Sequence, residues 1–239
     1  MTVPPSLGSF RLEALPKPPF EMSWLPEGWL SGIESCVLYA SAKAAKGPIL
    51  EIGSWVGRST CVLASGVRDN PSLPILDVFD HGIASIREFQ KFFKQDPRYH
   101  SASEKFLKVI LTPGGVGALL KKNLIERDLE SFVNSIILAE FKNVPVSRKY
   151  SFCFCDVSHD DKEIKENVPA IVDMLDKDDF LIVFDDVATP ETCRRIQEMC
   201  KADKAVCLGG GFPNGEKGYG CKISIMAKGD YYCNLPWLS

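Results

Sequence analysis

Six carboxylates stand where short apolar runs end. Glu51 closes the first run, Asp80 the second, Glu140 the third, Asp156 the fourth and the pair Asp185-Asp186 the fifth. An Asp just past a strand can serve as a helix N-cap, and that accounts for any one of them. It accounts less well for an acid at all five ends. Carboxylates side by side offer acceptors only. A crevice lined by them suits a cationic ligand, a divalent metal held by oxygen, or ribose and amine groups.

The first of these ends lies in ILEIGSWVGRST, Ile49 to Thr60. A glycine just past a strand lets the backbone turn sharply and a ligand come close. The helix that follows would point free N–H groups into the same crevice. A dinucleotide fingerprint requires glycine where Trp55 stands, and a phosphate-binding P-loop requires a lysine that Gly57-Arg58-Ser59 lacks. The spacing Glu51-x-Gly53-x-x-x-Gly57 fits a ligand with a nucleoside and an amino acid but no phosphate. Trp55 could pack on that ligand or join the core.

The elements that must position these residues follow from the apolar pattern. PILEIG, PILDVFD, NSIILAEF, YSFCFCD and DFLIVFDD read as five strands. KAVCL and CKISIMAKG read as a final antiparallel hairpin joined by the glycine-rich GGGFPNGEKGYG. Helical spacing fills RSTCVLASGVR, KEIKENVPAIVDMLDK and PETCRRIQEMCKAD, the last with Pro190 near its first position. Short apolar strands alternating with amphipathic helices predict an α/β, Rossmann-like, mostly parallel sheet with helices on both faces. In such a sheet, ligands bind beyond the carboxyl ends of the strands, where the acids are.

Two regions depart from this rhythm. Residues 1–45 form a proline- and aromatic-rich arm and a helix from about Gly28, leaving 46–239 as the main domain. The arm could wrap the core or reach a neighbouring subunit in a homo-oligomer. Residues 81–134 are too long for one crossover, so a helical insertion is expected at about 82–122, a cap near the strand ends. Within it, TPGGVG could hold an anion at a helix start, though turn composition favours a plain connection. ALLKKNLIERDLESFV reads as helical.

Composition excludes several classes. Apolar residues make up 45% of the 239 and charged residues 25%, enough for a buried core, and the net charge is −3. That charge argues against nucleic acid as a partner. No apolar run approaches the roughly 20 residues that span a bilayer, and MTVPPSLGSFRLEALPKPPF lacks a signal peptide's apolar core. A soluble, cytoplasmic protein with no membrane partner is the expectation. The nine cysteines include no C-x-x-C pair, so they read as reduced, buried thiols rather than a zinc site.

Glu51-x-Gly53-x-x-x-Gly57-x-Ser59-Thr60 resembles motif I of class I S-adenosylmethionine-dependent methyltransferases. Asp156-Val157-Ser158-His159-Asp160 resembles the "DGxHxY" element of a bacterial branch that includes cephalosporin and macrolide-sugar O-methyltransferases. Phe184-Asp185-Asp186 resembles that branch's "fDDy" strand end. The three keep the family's order and spacing, and the resemblance covers roughly residues 45–227. Val157 replaces the family's glycine and Asp161 its tyrosine.

The resemblance implies seven strands with the last antiparallel and S-adenosylmethionine as cofactor. It implies that Glu51, Gly53 and Gly57, with Ser54, Ser59 and Thr60, surround the methionine part. Asp80 would hold the ribose, with Asp77 in that role if the strand ends earlier. His81 would line the cleft, Glu140 would lie where the family contacts adenine, and Asp156 would also bind the cofactor. In metal-using members the positions of Asp156, Asp185 and Asp186 bind a divalent ion, and oxygen donors favour magnesium or calcium over zinc. Methyl transfer is an in-line displacement that needs alignment and, for a hydroxyl acceptor, removal of a proton. His159 or Asp156 would be the base, or a metal would lower the hydroxyl pKa. Plain alternatives are that His159 and Asp185-Asp186 cap helices. His100 reads as a surface residue, and Phe212 or Tyr219 could touch substrate. The function expected is O-methylation of a small molecule. The rivals are a metal-independent N-methyltransferase and a catalytically silent methyltransferase-like binding module.

Overall fold

A computed structural model describes residues 7–85, 87–88, 107–109, 111–141, 148–158, 160–209 and 221–238. The apolar runs form the strands β1 (Ile49–Ile52), β2 (Leu76–Asp80), β3 (Ser135–Leu138), β4 (Phe152–Cys155), β5 (Phe180–Phe184), β6 (Lys204–Cys207) and β7 (Ser224–Lys228). They make one sheet in the order β3-β2-β1-β4-β5-β7-β6. Neighbours from β3 to β5 pair in parallel, and β7 runs antiparallel to both β5 and β6. The order reverses between β1 and β4, which is where a doubly wound sheet opens a crevice.

Every residue of β1, β4 and β5 is buried. These strands are uniformly apolar because both of their faces are covered. On one face lie α1 (Gly32–Ala44), α2 (Arg58–Arg68) and α3 (Gly115–Ile125), whose Leu38, Val62 and Leu120 share a core with Phe152 and Phe154 of β4. On the other lie α4 (Asp161–Met174) and α5 (Pro190–Cys200), whose Val168 and Ile196 pack with Cys153 and Cys155. The two cysteines therefore share one face, as their alternation requires. All nine cysteines are free thiols.

The N-terminal arm wraps this same core. Leu15, Leu25 and Leu30 are buried in the first cluster, each burial contributing about 1.5–3 kcal/mol. Phe20 stacks on Trp24 with ring centroids 4.8 Å apart. Phe10 bridges to Leu238, so the arm also closes over the buried C-terminal Trp237. Helix α1 begins later than the apolar spacing suggests. Ser31 caps it, and the Glu34 carboxylate accepts from the Ser31 amide in a full capping box.

The long connection between β2 and β3 is described in part. TPGGVG turns the chain and starts α3 at once. Gly114 and Gly115 take φ of 84° and 55°, and a side chain at Gly115 would meet the Ile83 carbonyl at 2.2 Å. The expected helix over ALLKKNLIERDLESFV is shorter than its pattern. It stops at Ile125, Asp128 takes a left-handed φ of 54°, and only a short 3-10 turn, Glu130–Phe132, follows. The expected helices over REFQKFFKQDPRYH and SEKFLKVI lie largely outside the described residues, and so does the loop GGGFPNGEKGYG. Among the described residues no helix is long and apolar enough to cross a membrane.

Candidate functional site

Glu51 sits in the third position of β1, fully buried. Its Oε1 accepts a hydrogen bond from Ser59 Oγ at 2.5 Å, while Oε2 is buried without a partner. Burial pushes its pKa up to about 8, the charges of Asp80 and Asp156 add to that, and the Ser59 hydroxyl opposes it. The buried Thr60 hydroxyl opposes the rise as Ser59 does. Acids from the ends of β1, β2 and β4 thus act on one another, as the sequence pattern implies.

The two glycines of this loop have left-handed φ, 87° at Gly53 and 94° at Gly57. The structure revises what their missing side chains are for. A Cβ on Gly53 would lie 2.5 Å from the Asp156 carbonyl oxygen, and one on Gly57 would lie 2.4 Å from Leu120 Cδ1. One glycine lets the chain after β4 close against the chain after β1. The other lets α3 seat against the start of α2.

Asp80 is the last residue of β2, so the strand does reach it. Its Oδ2 accepts the amides of Ser54 at 2.9 Å and Trp55 at 2.8 Å, and its Oδ1 accepts the Gly82 amide at 2.8 Å. The carboxylate therefore builds the loop after β1, and Oδ1 keeps a lone pair for a further donor. Asp77 does not substitute for it. It lies inside the strand, buried, accepting from Asn134, Ser135 and Tyr150. His81 follows Asp80 and is exposed, and Glu140 lies just past β3, half-buried.

Trp55 does not fill the bend. Its indole packs against the small cluster of Val56, Ile83, Val109, Val116 and Leu119, with its centroid 6.2 Å from Trp29.

Asp156 and Asp185 follow β4 and β5, each half-buried. Burial pushes the Asp185 pKa up to about 8, reinforced by Asp156 and Glu34. Asp186 has a left-handed φ of 57° and pairs through Oδ1 with Lys222 Nζ at 3.0 Å. Neither aspartate caps α5, a task done by Thr189. Asp160 caps α4, and Asp161, at the family's tyrosine position, pairs with Arg195 at 2.6 Å on the surface. His159, His100, Phe212 and Tyr219 lie outside the described residues.

Which groups fit follows from the donors. The unpartnered Glu51 Oε2 suits an ammonium, and Asp80 Oδ1 suits a hydroxyl donor, so the residues present fit S-adenosylmethionine. The metal trio fits less well. The Lys222 ammonium already neutralises Asp186, and among the described residues no group of three His, Cys, Asp or Glu side chains is placed to hold a metal ion.

Three residues of this site escape a sequence reading. Glu34 Oε1 accepts the Lys222 amide at 2.8 Å, joining α1 to the approach to β7. Arg58 donates from Nε to the Leu30 carbonyl at 3.2 Å and from a terminal nitrogen to the Pro26 carbonyl at 2.6 Å. Only Glu34 had a local signal, the Ser31-x-x-Glu34 capping box. Lys222 and Arg58 act across distant parts of the chain.

A sheet of this order with its seventh strand reversed, carrying an acid-glycine loop at the switch point, defines the class I S-adenosylmethionine-dependent methyltransferases. The family model described as a methyltransferase domain matches residues 50–187, more than half of the chain, and the chain belongs to that family. Solved structures share the fold at low identity. Cofactor-bound Rv0187 from MTB matches with a TM-score of 0.53 and 15% identity, over 85% of this chain and 83% of that one. A SAM-dependent O-methyltransferase from Thermotoga maritima matches with a TM-score of 0.50 and 14% identity, over 82% of this chain and 65% of that one. No curated protein matches the sequence.

Proposed function

We propose that this methyltransferase acts on a hydroxyl oxygen of a small molecule, with the methionine end of S-adenosylmethionine held at Glu51, Gly53 and Ser59. One observation carries the reading: the buried Glu51 has an unpartnered oxygen and lies within the field of Asp80 and Asp156. A sulfonium with an ammonium tail carries the positive charge such a crevice favours. Asp80 Oδ1 takes the ribose. His81 and Glu140 flank the nucleoside.

The cofactor supplies a methyl group activated by its bond to a positive sulfur. The chain must align the acceptor oxygen with that methyl, which is worth much of the rate, and must take the hydroxyl proton. Asp156, at the end of β4, accepts it, and His159, three positions on, is the second candidate base. No step of this transfer passes through a metal ion. The Thermotoga neighbour is itself named an O-methyltransferase, which agrees with an oxygen acceptor.

The test is calorimetry with S-adenosylhomocysteine in EDTA and again in magnesium. One-to-one binding in both supports the reading, and Glu51→Gln should weaken it about tenfold, the size of one lost charge-assisted contact. Binding only with magnesium would restore Asp156, Asp185 and Asp186 as metal ligands. No binding in either condition would leave a silent binding module.

A further inference from the structure

Asp186 and Lys222 meet because of the sheet. β7 runs antiparallel to β5, and Phe184 pairs with Ser224 at the last rung of that ladder. Carried two residues further, the same register sets Asp186 opposite Lys222. Opposite charges so placed attract across a strand pair, and Lys222 Nζ lies 3.0 Å from Asp186 Oδ1. The reversed strand thus delivers a cation to the strand end where the resemblance puts a divalent ion.

Both partners are anchored through their backbones. The Lys222 amide donates to Glu34 Oε1 at 2.8 Å, and Oε2 of that buried carboxylate accepts the Ser31 amide at 2.7 Å. Ser224 Oγ donates to the Val187 carbonyl at 2.7 Å, which fixes the chain just past Asp186 against β7. Asp186 holds a left-handed φ of 57°, which aspartate adopts more readily than most residues. Its amide donates to Asp185 Oδ1 at 2.9 Å. The Lys222 ammonium also lies in the field of Asp185 and Glu34, and Asp185 lies in that of Asp156. The cation therefore belongs to the row of acids at the strand ends.

Paired with Lys222, Asp186 does not complete a ligand set with Asp156 and Asp185. Among the described residues no group of three His, Cys, Asp or Glu side chains is placed to hold a metal ion.

We propose that Lys222 is a resident cation in the place of the divalent ion: its ammonium draws Asp186 out of the ligand set and keeps that set from forming. Lys222 is a positioning residue, acting through Asp186. What it serves rests on the methyl-transfer reading. A divalent ion on Asp156 would draw down the basicity of that carboxylate, whereas an ammonium on Asp186 leaves Asp156 to take the acceptor's proton.

Manganese(II) is the probe, titrated into the full chain and followed by electron paramagnetic resonance. The unaltered chain should bind no stoichiometric Mn2+ below roughly 1 mM. The Lys222 side chain is 60% exposed, so its replacement leaves the core intact. Lys222→Met should bind one Mn2+ with a dissociation constant at least about tenfold below that limit. Lys222→Gln, a polar neutral replacement, should show the same gain. Adding Asp186→Asn should abolish it, and Lys222→Arg, which restores a cation, should bind none. One-to-one binding by the unaltered chain that Asp186→Asn removes would overturn the proposal. So would no gain in either neutral variant, or a gain that survives Asp186→Asn. Calorimetry with S-adenosylhomocysteine keeps the two readings apart. Its failure to bind the unaltered chain would sink the methyl-transfer reading alone, because the Mn2+ titration needs no cofactor to decide the place of Lys222.

Discussion

Gly53 faces the carbonyl of Asp156 so closely that a β-carbon there would lie 2.5 Å from the oxygen. The two residues end adjacent strands, β1 and β4, on either side of the switch point. Their contact holds the chain after β1 against the chain after β4. Gly53→Ala must both hold φ near 87° and push the β4 end away. The left-handed conformation alone costs about 1–2 kcal/mol, and the displaced backbone adds to it. Urea unfolding should show a loss of at least about 2 kcal/mol, and calorimetry should show a larger proportional loss of S-adenosylhomocysteine binding.

Glu51 gives the ligand-free protein an unusual pH dependence. Its pKa rises from an ordinary 4.5 to about 8 on folding, chiefly through burial. Between those values the folded chain keeps a proton that the unfolded chain has released. Stability therefore falls as pH rises through that window and levels off above about 8. Asp185 is shifted the same way and adds to the slope. Thermal melts from pH 5 to 9 should show the decline, and Glu51→Gln should flatten part of it. Binding runs the other way. An ammonium partner needs the carboxylate, so affinity for S-adenosylhomocysteine should fall as pH drops below 8 and level off about tenfold weaker, the loss that Glu51→Gln causes.

The sheet was legible because each strand is a short apolar run bounded by turn residues, as Phe180–Phe184 is between Asp179 and Asp185. The alternation of Cys153 and Cys155 correctly placed both on one face. The loop at Glu51 and Gly53 was legible through its spacing. What those glycines contact was not, because Asp156 and Leu120 arrive from other parts of the chain. The same holds for Asp186, whose partner Lys222 lies 36 residues on, and for Arg58, which reaches back to Pro26. Pattern reveals elements and their ends. It does not reveal which charge has already been answered by a distant one.

Arg58 ties the arm to the start of α2 through two charge-assisted bonds to the Pro26 and Leu30 carbonyls. Such bonds are worth about 1.5–3 kcal/mol each when buried, and this half-buried side chain should give about 2 kcal/mol in all. Arg58→Ala should lower the melting temperature and open the arm to chymotrypsin at Phe20 and Trp24 while the sheet stays protected. Arg58→Lys should restore little, since one ammonium cannot hold both carbonyls in the geometry of the guanidinium fork. Unchanged cleavage in Arg58→Ala would mean that apolar burial of Leu15, Leu25 and Leu30 alone keeps the arm in place.

Cys207 should be the reactive thiol of the nine. It ends β6, half-buried, and its pKa is drawn down by a hydrogen bond from Cys193, against the opposing effect of burial. Cys193, on α5, is correspondingly held in its protonated form. Burial raises the other half-buried thiols, Cys36 and Cys233. The thiolate is the nucleophile, so at pH 7 iodoacetamide should modify Cys207 first. The rate should rise through a midpoint below that of an ordinary thiol, read by mass spectrometry of the peptides. Cys207→Ser should remove the fast phase. Cys193→Ala takes away the donor, so it should move that midpoint upward and slow the reaction at neutral pH. A fast phase that survives Cys207→Ser, or a midpoint indifferent to Cys193→Ala, would show that the two sulfurs do not share a proton.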